Sequence, residues 1–270
     1  MAALTVGLSA ATVGLAHESP NEGHIPKDVN YGFEVIGRDT LAGVTDGNYT
    51  DVWSHNGFAY VGTFQEPCSD AGVFVVDIDA AISQFRNGGN ISGATVADIK
   101  SAPNTRINDV KVHTVGDVDV LIATQEPCGM QIPAAPQSDG NPPGQVGQGG
   151  ISLYDVTDPT KPKALKKNFL EFEGVHNTFP WTDAEGNSYL VGTADTFDFF
   201  DTFFVDITKP QSPKLLTITG ALDWIPQGVN LDQLETGSSA GIFNHDVWVE
   251  EIDGVQTAVV SYWDLGFVTL

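Results

Sequence analysis

The feature that most constrains the fold is a strand-and-turn motif that recurs along the chain. Residues 150–163 carry an apolar run of β-forming side chains that ends in Asp-Val and is followed by Asp158 and Pro159. Asp favours the first position of a turn and proline presets φ, so the strand must end there. Related runs begin at residues 72, 202 and 266. A motif that recurs in this way predicts a repeat architecture.

Each copy of the motif follows two further β-forming runs, and the first of these opens with two polar residues. The four polar pairs are Thr50 and Asp51, Asn108 and Asp109, His176 and Asn177, and His245 and Asp246. Each full unit therefore predicts four short antiparallel strands joined by turns, which is the composition of a propeller blade.

The runs VFVVDI, SLYDV and TFFVDI resemble the strand after which the LVIVD-repeat family of β-propellers is named. The resemblance covers roughly residues 31–270. It implies an all-β fold, a β-propeller of four-stranded antiparallel blades. The resemblance bears on the fold and says little about function.

The sequence offers about four blades, and two interpretations of that number are open. Residues 33–41 match the last strand of a unit, so they could complete the final blade and close a four-bladed ring. The chain stops at Leu270 within the third strand of that blade, which favours a truncated, originally larger propeller. A partial arc would leave an unpaired strand edge.

The charge balance limits the classes of partner. The chain of 270 residues has 35 acidic against 12 basic side chains, a formal net charge of −23. This balance argues against nucleic acid and anionic membrane surfaces as partners. It fits a solvated surface suited to salt or to an extracellular setting, or alternatively a cation-binding protein.

The first residues predict export. Residues 1–16 are small and apolar and too short to span a bilayer, which favours a secretory signal over an anchor. No Lys or Arg precedes the apolar run, so a plain N-terminus or a start further upstream remains an alternative. Residues 17–30 form a polar lead-in predicted to be disordered. We expect a secreted or cell-surface protein without a transmembrane segment.

The predicted blades have one end that carries the long loops. We call it the top end: it is the end at which the first strand of each unit begins. The insertions at residues 129–149 and 220–243 both lie there, and function concentrates in loops displayed by a rigid scaffold. A protein, a glycan or a small molecule is the predicted partner at this end.

The polar pairs at the top end are the candidate site. The six residues singled out are Asp51, Asp109, His176, Asn177, His245 and Asp246. Carboxylates and imidazoles that converge from several strands suit a divalent cation such as Ca²⁺, Zn²⁺ or Mn²⁺. They equally suit a water-filled polar funnel, or caps for backbone N–H groups at strand starts. His55 and His113 lie further down their strands and are interpreted as structural.

The tetrapeptide Gln-Glu-Pro-Cys occurs twice, ending at Cys68 and at Cys128. Both copies follow a second strand, so both cysteines are expected at the top end of neighbouring blades. Two cysteines in an exported chain favour a disulfide. A pair of free or metal-bound thiolates is the alternative, although no Cys-x-x-Cys spacing supports it.

The sequence contains no Gly-x-Ser-x-Gly elbow, P-loop, dinucleotide fingerprint or His-Glu-x-x-His motif. Two function classes therefore remain. One is a propeller that binds a partner or small ligand through its top loops and central polar funnel. The other is a metal-assisted hydrolase or lyase with an Asp/His ring at the axis. Propellers host both, so the fold cannot decide between them.

Overall fold

A computed structural model describes residues 41, 48–64, 72–89, 91–127, 149–170, 174–195, 200–224, 243–263 and 266–270. The chain divides into two compact units, Met1–Val35 and Ile36–Leu270, and the described residues all belong to the second. Several sequence predictions lie outside the described residues: the signal segment 1–16, the lead-in 17–30, Cys68, Cys128, and nearly all of residues 33–41, 129–149 and 225–242.

The described part of the chain is built mostly from strands. In order, the strands are β1 (Tyr49–His55), β2 (Phe58–Thr63), β3 (Gly72–Asp77), β4 (Thr95–Lys100), β5 (Thr105–Val115), β6 (Val118–Pro127), β7 (Gly150–Asp155), β8 (Lys163–Phe169), β9 (Val175–Thr182), β10 (Ser188–Ala194), β11 (Thr202–Asp206), β12 (Lys214–Thr219), β13 (Asn244–Ile252), β14 (Val255–Tyr262) and β15 (Gly266–Thr269). Two short α-helices, α1 (Ile78–Arg86) and α2 (Ala221–Trp224), and a 3-10 helix at Ile91–Ala94 complete the set. Neither α-helix is long and apolar enough to cross a membrane.

The strands form four antiparallel sheets that match the four sequence units. Their orders are β1-β2-β3-β4, β5-β6-β7-β8, β9-β10-β11-β12 and β13-β14-β15. Each sheet is thus a meander in which sequence neighbours pair. The prediction of an all-β protein made of short antiparallel strands is confirmed.

Turn chemistry explains why the first two strands of a sheet pair as a hairpin. Asn56 and Gly57 join β1 to β2, and Asp253 and Gly254 join β13 to β14. All four residues have positive φ. Two-residue turns of this kind match the right-handed twist of the strands they connect, and Asn-Gly and Asp-Gly are their preferred sequences.

An aspartate ends the third strand of three sheets and performs the same task in each. The side chain of Asp77 accepts a hydrogen bond from Ala80 N at 2.9 Å, which caps helix α1. Asp155 accepts from Thr157 N at 3.0 Å and Asp206 from Thr208 N at 2.9 Å. The repeated Asp therefore stops each strand by offering its carboxylate to the backbone just beyond it.

The core lies between consecutive sheets. The first strands pack side by side, β1 against β5, β5 against β9, and β9 against β13. Leu121 faces the core shared with β1–β4, whereas its neighbour Ile122 faces the core shared with β9–β12. Successive strand residues point to opposite faces, so a sheet covered on both sides needs a continuous apolar run. Burial on both faces explains why the continuous apolar runs recur along the sequence.

Candidate functional site

Each first strand begins with an irregularity at the place where the sequence puts a polar pair. The register of the first two strands shifts between Tyr49 and Val52, between Ile107 and Val110, at Thr193 and Ala194 opposite His176, and between Asn244 and Asp246. A β-bulge inserts an extra residue and redirects side chains, and bulges are frequent beside functional sites. The four predicted pairs therefore occupy equivalent bulges at the top end.

Three side chains that could ligate a metal ion meet at this end, between the second and third sheets. They are Glu126 near the end of β6, His176 at the start of β9, and Asp195 directly after β10. One ligand atom from each lies within 4.8 Å of the others. His176 Nδ1 is 2.9 Å from Glu126 Oε1 and 3.3 Å from Asp195 Oδ1. We call these three residues the acidic triad.

Two residues of β5 hold Glu126 in place. Arg106 Nε and Nη2 each lie 3.3 Å from Glu126 Oε2, and the guanidinium stacks over the Phe64 ring. The amide of Asn108 contacts Glu126 Oε1, and its Nδ2 is 2.8 Å from His176 Nδ1. Glu126 is only 2% exposed. A carboxylate buried this deeply is tolerated because cationic and amide groups surround it.

The Asp195 carboxylate occupies space that is free because residue 174 is a glycine. Its backbone N donates to Gly174 O at 2.9 Å. A Cβ atom added at Gly174 would lie 2.3 Å from Asp195 Oδ2, so any larger residue there would have to displace the carboxylate. Asp195 Oδ2 is buried and has no hydrogen-bond partner among the described residues. A buried carboxylate oxygen without a partner is costly, and it indicates that another group belongs beside it.

Within the triad, the pKa values of His176 and Asp195 are raised and the pKa of Glu126 is lowered. Burial lowers the pKa of His176, but hydrogen bonds and charges from Asp195 and Glu126 raise it by more, to about 10. Burial and the charge of Glu126 raise the pKa of Asp195 to about 7. Burial raises the pKa of Glu126, but His176, Asn108 and Arg106 outweigh that effect and hold it below its ordinary value. A protonated His176 thus bridges two carboxylates when nothing else is bound.

Aromatic rings extend from the triad to the surface. The His245 ring lies 4.7 Å from the His176 ring, centroid to centroid, and stacks on Trp263 at 5.4 Å. Phe243 contacts both histidines and packs against Trp263 at 5.2 Å. Burial and the charge of His176 lower the pKa of His245. His245 and Trp263 are exposed, whereas Phe243 is buried beneath them.

Asp51 and Asp109 belong to a second group, centred on Lys111. Lys111 Nζ lies 2.7 Å from Asp51 Oδ2 and also contacts Asp109 Oδ1. The other Asp109 oxygen accepts from Thr178 N at 3.0 Å, on the next sheet. Burial raises the pKa of Asp109 to about 7, although the charge of Lys111 opposes this. Both carboxylates therefore have protein partners, and the six predicted residues do not converge on one point.

The remaining predicted residues have separate surroundings. Asn177 Oδ1 is buried without a hydrogen-bond partner among the described residues, while Asp246 is exposed and its Oδ1 accepts from Val247 N at 2.8 Å. At the opposite end, His55 Nε2 lies 3.0 Å from Asp119 Oδ1, and His113 Nε2 lies 2.7 Å from Thr182 Oγ1. These two histidines join neighbouring sheets.

Sequence reasoning found His176 but missed its two carboxylate partners. Glu126 lies inside the second Gln-Glu-Pro-Cys, in which the cysteine carries the more obvious signal. Ala194 and Asp195 follow Val-Gly-Thr in β10, just as Phe64 and Gln65 follow the same three residues in β2. In every unit the second strand is antiparallel to the first, so the end of the second strand lies beside the start of the first. That relationship was the signal that could have pointed to Glu126 and Asp195.

The site belongs to an all-β protein of four antiparallel sheets, and comparisons with known proteins add little to that description. No family model and no curated protein matches the chain. An alpha-L-arabinofuranosidase from Lactobacillus brevis is similar over 80% of this chain and 65% of that one, with 12% identity and a TM-score of 0.42. An exo-beta-1,3-galactanase from Clostridium thermocellum is similar over 83% of this chain and 58% of that one, with 11% identity and a TM-score of 0.37. The chain spans less than two thirds of either structure, and likeness at this level carries no argument about its activity.

Proposed function

We propose that the protein is a ligand-binding β-propeller that holds a divalent cation at Glu126, His176 and Asp195. The observation that carries the proposal is Asp195 Oδ2, a buried carboxylate oxygen that has no hydrogen-bond partner among the described residues and lies beside two other groups able to ligate an ion. An ion there would offset the two carboxylates and give that oxygen a partner. The four sheets would be blades, with the triad at the opening where their first strands begin.

The donor set favours one kind of ion. One imidazole nitrogen with two carboxylates suits Zn²⁺ or Mn²⁺, whereas Ca²⁺ prefers six to eight oxygen ligands. Glu126 and Asp195 are nearly inaccessible to solvent, so the position suits an ion better than an organic molecule. Arg106 and Asn108 would then orient the ligand Glu126, as outer groups commonly do around protein-bound metals.

The test is titration of the chelator-treated protein with Zn²⁺ and Mn²⁺ by isothermal calorimetry. We expect one ion per chain, with release of a proton, because His176 must lose its proton to ligate through Nδ1. Asp195→Asn should weaken binding by more than about 100-fold, since outer-shell changes alone cost 10–100-fold.

Asp246→Asn is the matched control, because Asp246 lies at the same end but outside the triad. We expect it to bind the ion as tightly as the wild type. Circular dichroism of each variant would separate loss of binding from loss of the fold, and His176→Gln provides a second variant. The proposal is overturned if the wild type binds neither ion at micromolar concentrations, or if Asp246→Asn loses binding and Asp195→Asn keeps it.

Metal-assisted hydrolysis is a second candidate, favoured by the number of ligands. Three protein ligands leave a tetrahedral ion with an open position for water, which is the arrangement of catalytic rather than structural zinc sites. Hydrolysis of p-nitrophenyl acetate and of bis(p-nitrophenyl) phosphate would be measured with each ion. Turnover that depends on the ion and is lost in Asp195→Asn supports this candidate, and absence of turnover by the ion-loaded protein leaves binding alone.

A further inference from the structure

We propose that residues 37–40 supply the fourth strand of the fourth sheet by pairing antiparallel with the free edge of β15. The first three sheets have four strands each, and we call the last of these the outer strand: β4, β8 and β12. Among the described residues, the fourth sheet has three strands and ends at β15. Phe267 on that strand is 73% exposed. No residue of the acidic triad lies in this sheet, so the proposal does not depend on the ion.

The free edge of β15 presents backbone groups that can pair with another strand. Leu270 N donates to Ala258 O at 2.9 Å, and Ala258 N donates to Leu270 O at 3.0 Å. Hydrogen-bonded and non-hydrogen-bonded pairs alternate along an antiparallel ladder. The backbone N–H and C=O groups of Phe267 and Thr269 therefore point away from β14. An unpaired edge of this kind is a template for a further strand.

In the second sheet, the residue after the outer strand packs against the third strand of the following sheet. Leu170 directly follows β8 and packs against the hydrophobic cluster that contains Phe203 and Val205 of β11. These two residues lie three and one positions before Asp206, which ends β11. A leucine in this position therefore indicates which sheet comes next.

Leu41 is placed against the first sheet in the same way. It is 4% exposed and belongs to a cluster with Phe74 and Val76, which lie three and one positions before Asp77 at the end of β3. The strand before Leu41 therefore belongs to the sheet that precedes the first. The fourth sheet is the described sheet without an outer strand, and Trp53 of β1 packs against the cluster that it shares with the third sheet.

The sequence before Leu41 also fits an outer strand. The pairing of each outer strand with its third strand skips one apolar residue: Val96, Leu165 and Leu216. When Leu41 is aligned with Leu170, Ile36 takes the skipped position. The same alignment sets Gly37 opposite Thr269, one of the residues whose backbone groups face the free edge.

The experiment is amide hydrogen exchange of the full chain, followed residue by residue by NMR. We expect the amides of Phe267 and Thr269 to exchange at least about 100-fold more slowly than unprotected amides. Gly37→Pro removes the N–H that faces Thr269 O and should abolish this protection. Arg38→Pro is the matched control, because the N–H of Arg38 would face solvent and an edge strand tolerates proline there.

Fast exchange of both amides in the wild type overturns the proposal, and so does equal protection in the wild type and Gly37→Pro. A second copy of the chain is the alternative occupant of the edge. Protection that rises with protein concentration and survives Gly37→Pro, with a dimer in sedimentation, assigns the edge to that copy and overturns the proposal.

A second measurement does not depend on the variants. In the wild type, a nuclear Overhauser effect between the backbone protons of Gly37 and Thr269 must be present, and its absence overturns the proposal even if Gly37→Pro fails to fold. Exchange at Val260 in β14 shows whether each variant keeps the rest of the sheet. None of these results bears on the ion, so the two proposals fail separately.

Discussion

Lys111 Nζ on β5 lies 2.7 Å from Asp51 Oδ2 on β1, and so joins the first strands of two neighbouring sheets. The same ammonium contacts Asp109 on its own strand and lies 5.4 Å from the centroid of the Trp53 ring. Two of the carboxylates expected to ligate an ion therefore already share the ammonium group of Lys111 as a partner. The proposed ion is therefore assigned to two other carboxylates, those of Glu126 and Asp195.

Lys111→Met should destabilise the fold strongly. The change leaves Asp109, which is only 2% exposed, as a buried charge without its cation. Loss of one partner of a buried pair costs about 3–5 kcal/mol. Urea unfolding should show a lower midpoint with an unchanged slope. The double variant Lys111→Met with Asp109→Asn should recover much of that loss, and a double variant as unstable as the single one would contradict the account.

The stability of the ion-free protein should fall with rising pH because of His176. Its pKa is raised from 6.5 to about 10 in the folded protein, so the folded state holds a proton that the unfolded state releases. The contribution is fully present below about pH 6.5 and is lost as the pH rises to about 10, at most about 1.4 kcal/mol per pH unit. The gap in unfolding free energy between wild type and His176→Gln should shrink over this window. A gap that stays constant or widens would contradict the ion pairs described for His176.

Gly174→Ala should weaken ion binding although it removes no ligand. The new Cβ would lie 2.3 Å from Asp195 Oδ2, so the carboxylate must move away from Glu126 and His176. We expect a loss of about 10–100-fold in ion affinity, as found when ligand orientation is disturbed. Gly93→Ala serves as the control, since its added Cβ would meet only the flexible side chain of Gln84, at 3.2 Å. Equal ion affinity in the wild type and Gly174→Ala would place the ion elsewhere.

Tyr262→Phe should weaken the contact between the third and fourth sheets. Tyr262 OH donates to Asp201 Oδ1 at 2.8 Å, and the other Asp201 oxygen accepts from Asn244 N at 2.9 Å. Removal of one donor from a buried carboxylate costs about 1–3 kcal/mol. A double-mutant cycle with Asp201→Ala, followed by thermal unfolding, measures the coupling directly. Additive effects of the two changes would show that the hydrogen bond contributes nothing.

Much of the fold was predictable because the information is local. Alternation and continuous apolar runs predict strands, and the Asp at the end of the third strand in three of the units predicts where that strand ends. Asp77, Asp155 and Asp206 each act through a backbone N–H only two or three residues away. Interactions of such short range are visible in the order of the residues. The polar pairs at the strand starts were located correctly for the same reason, since each bulge belongs to one hairpin.

The composition of the candidate site was not predictable in this way. His176, Glu126 and Asp195 come from the start of β9, the end of β6 and the end of β10, so two sheets must pack before the three meet. With 35 acidic residues in the chain, no local signal distinguishes the two that converge. In the sequence, Lys111 likewise looks like an ordinary strand residue. Its partner Asp51 comes beside it only when β1 packs against β5.

By itself, the sequence determined the repeat, the strands, the turns and the end of the sheets that carries the polar residues. Tertiary structure alone decided that Lys111 lies between Asp51 and Asp109. It also decided that His176 lies between two carboxylates, one of which has an oxygen without a partner among the described residues. The physical reason is that the free energy of a buried charge depends on the groups within a few ångströms of it. Those groups come from residues far apart in the chain, and only the packing of one sheet against the next brings them together.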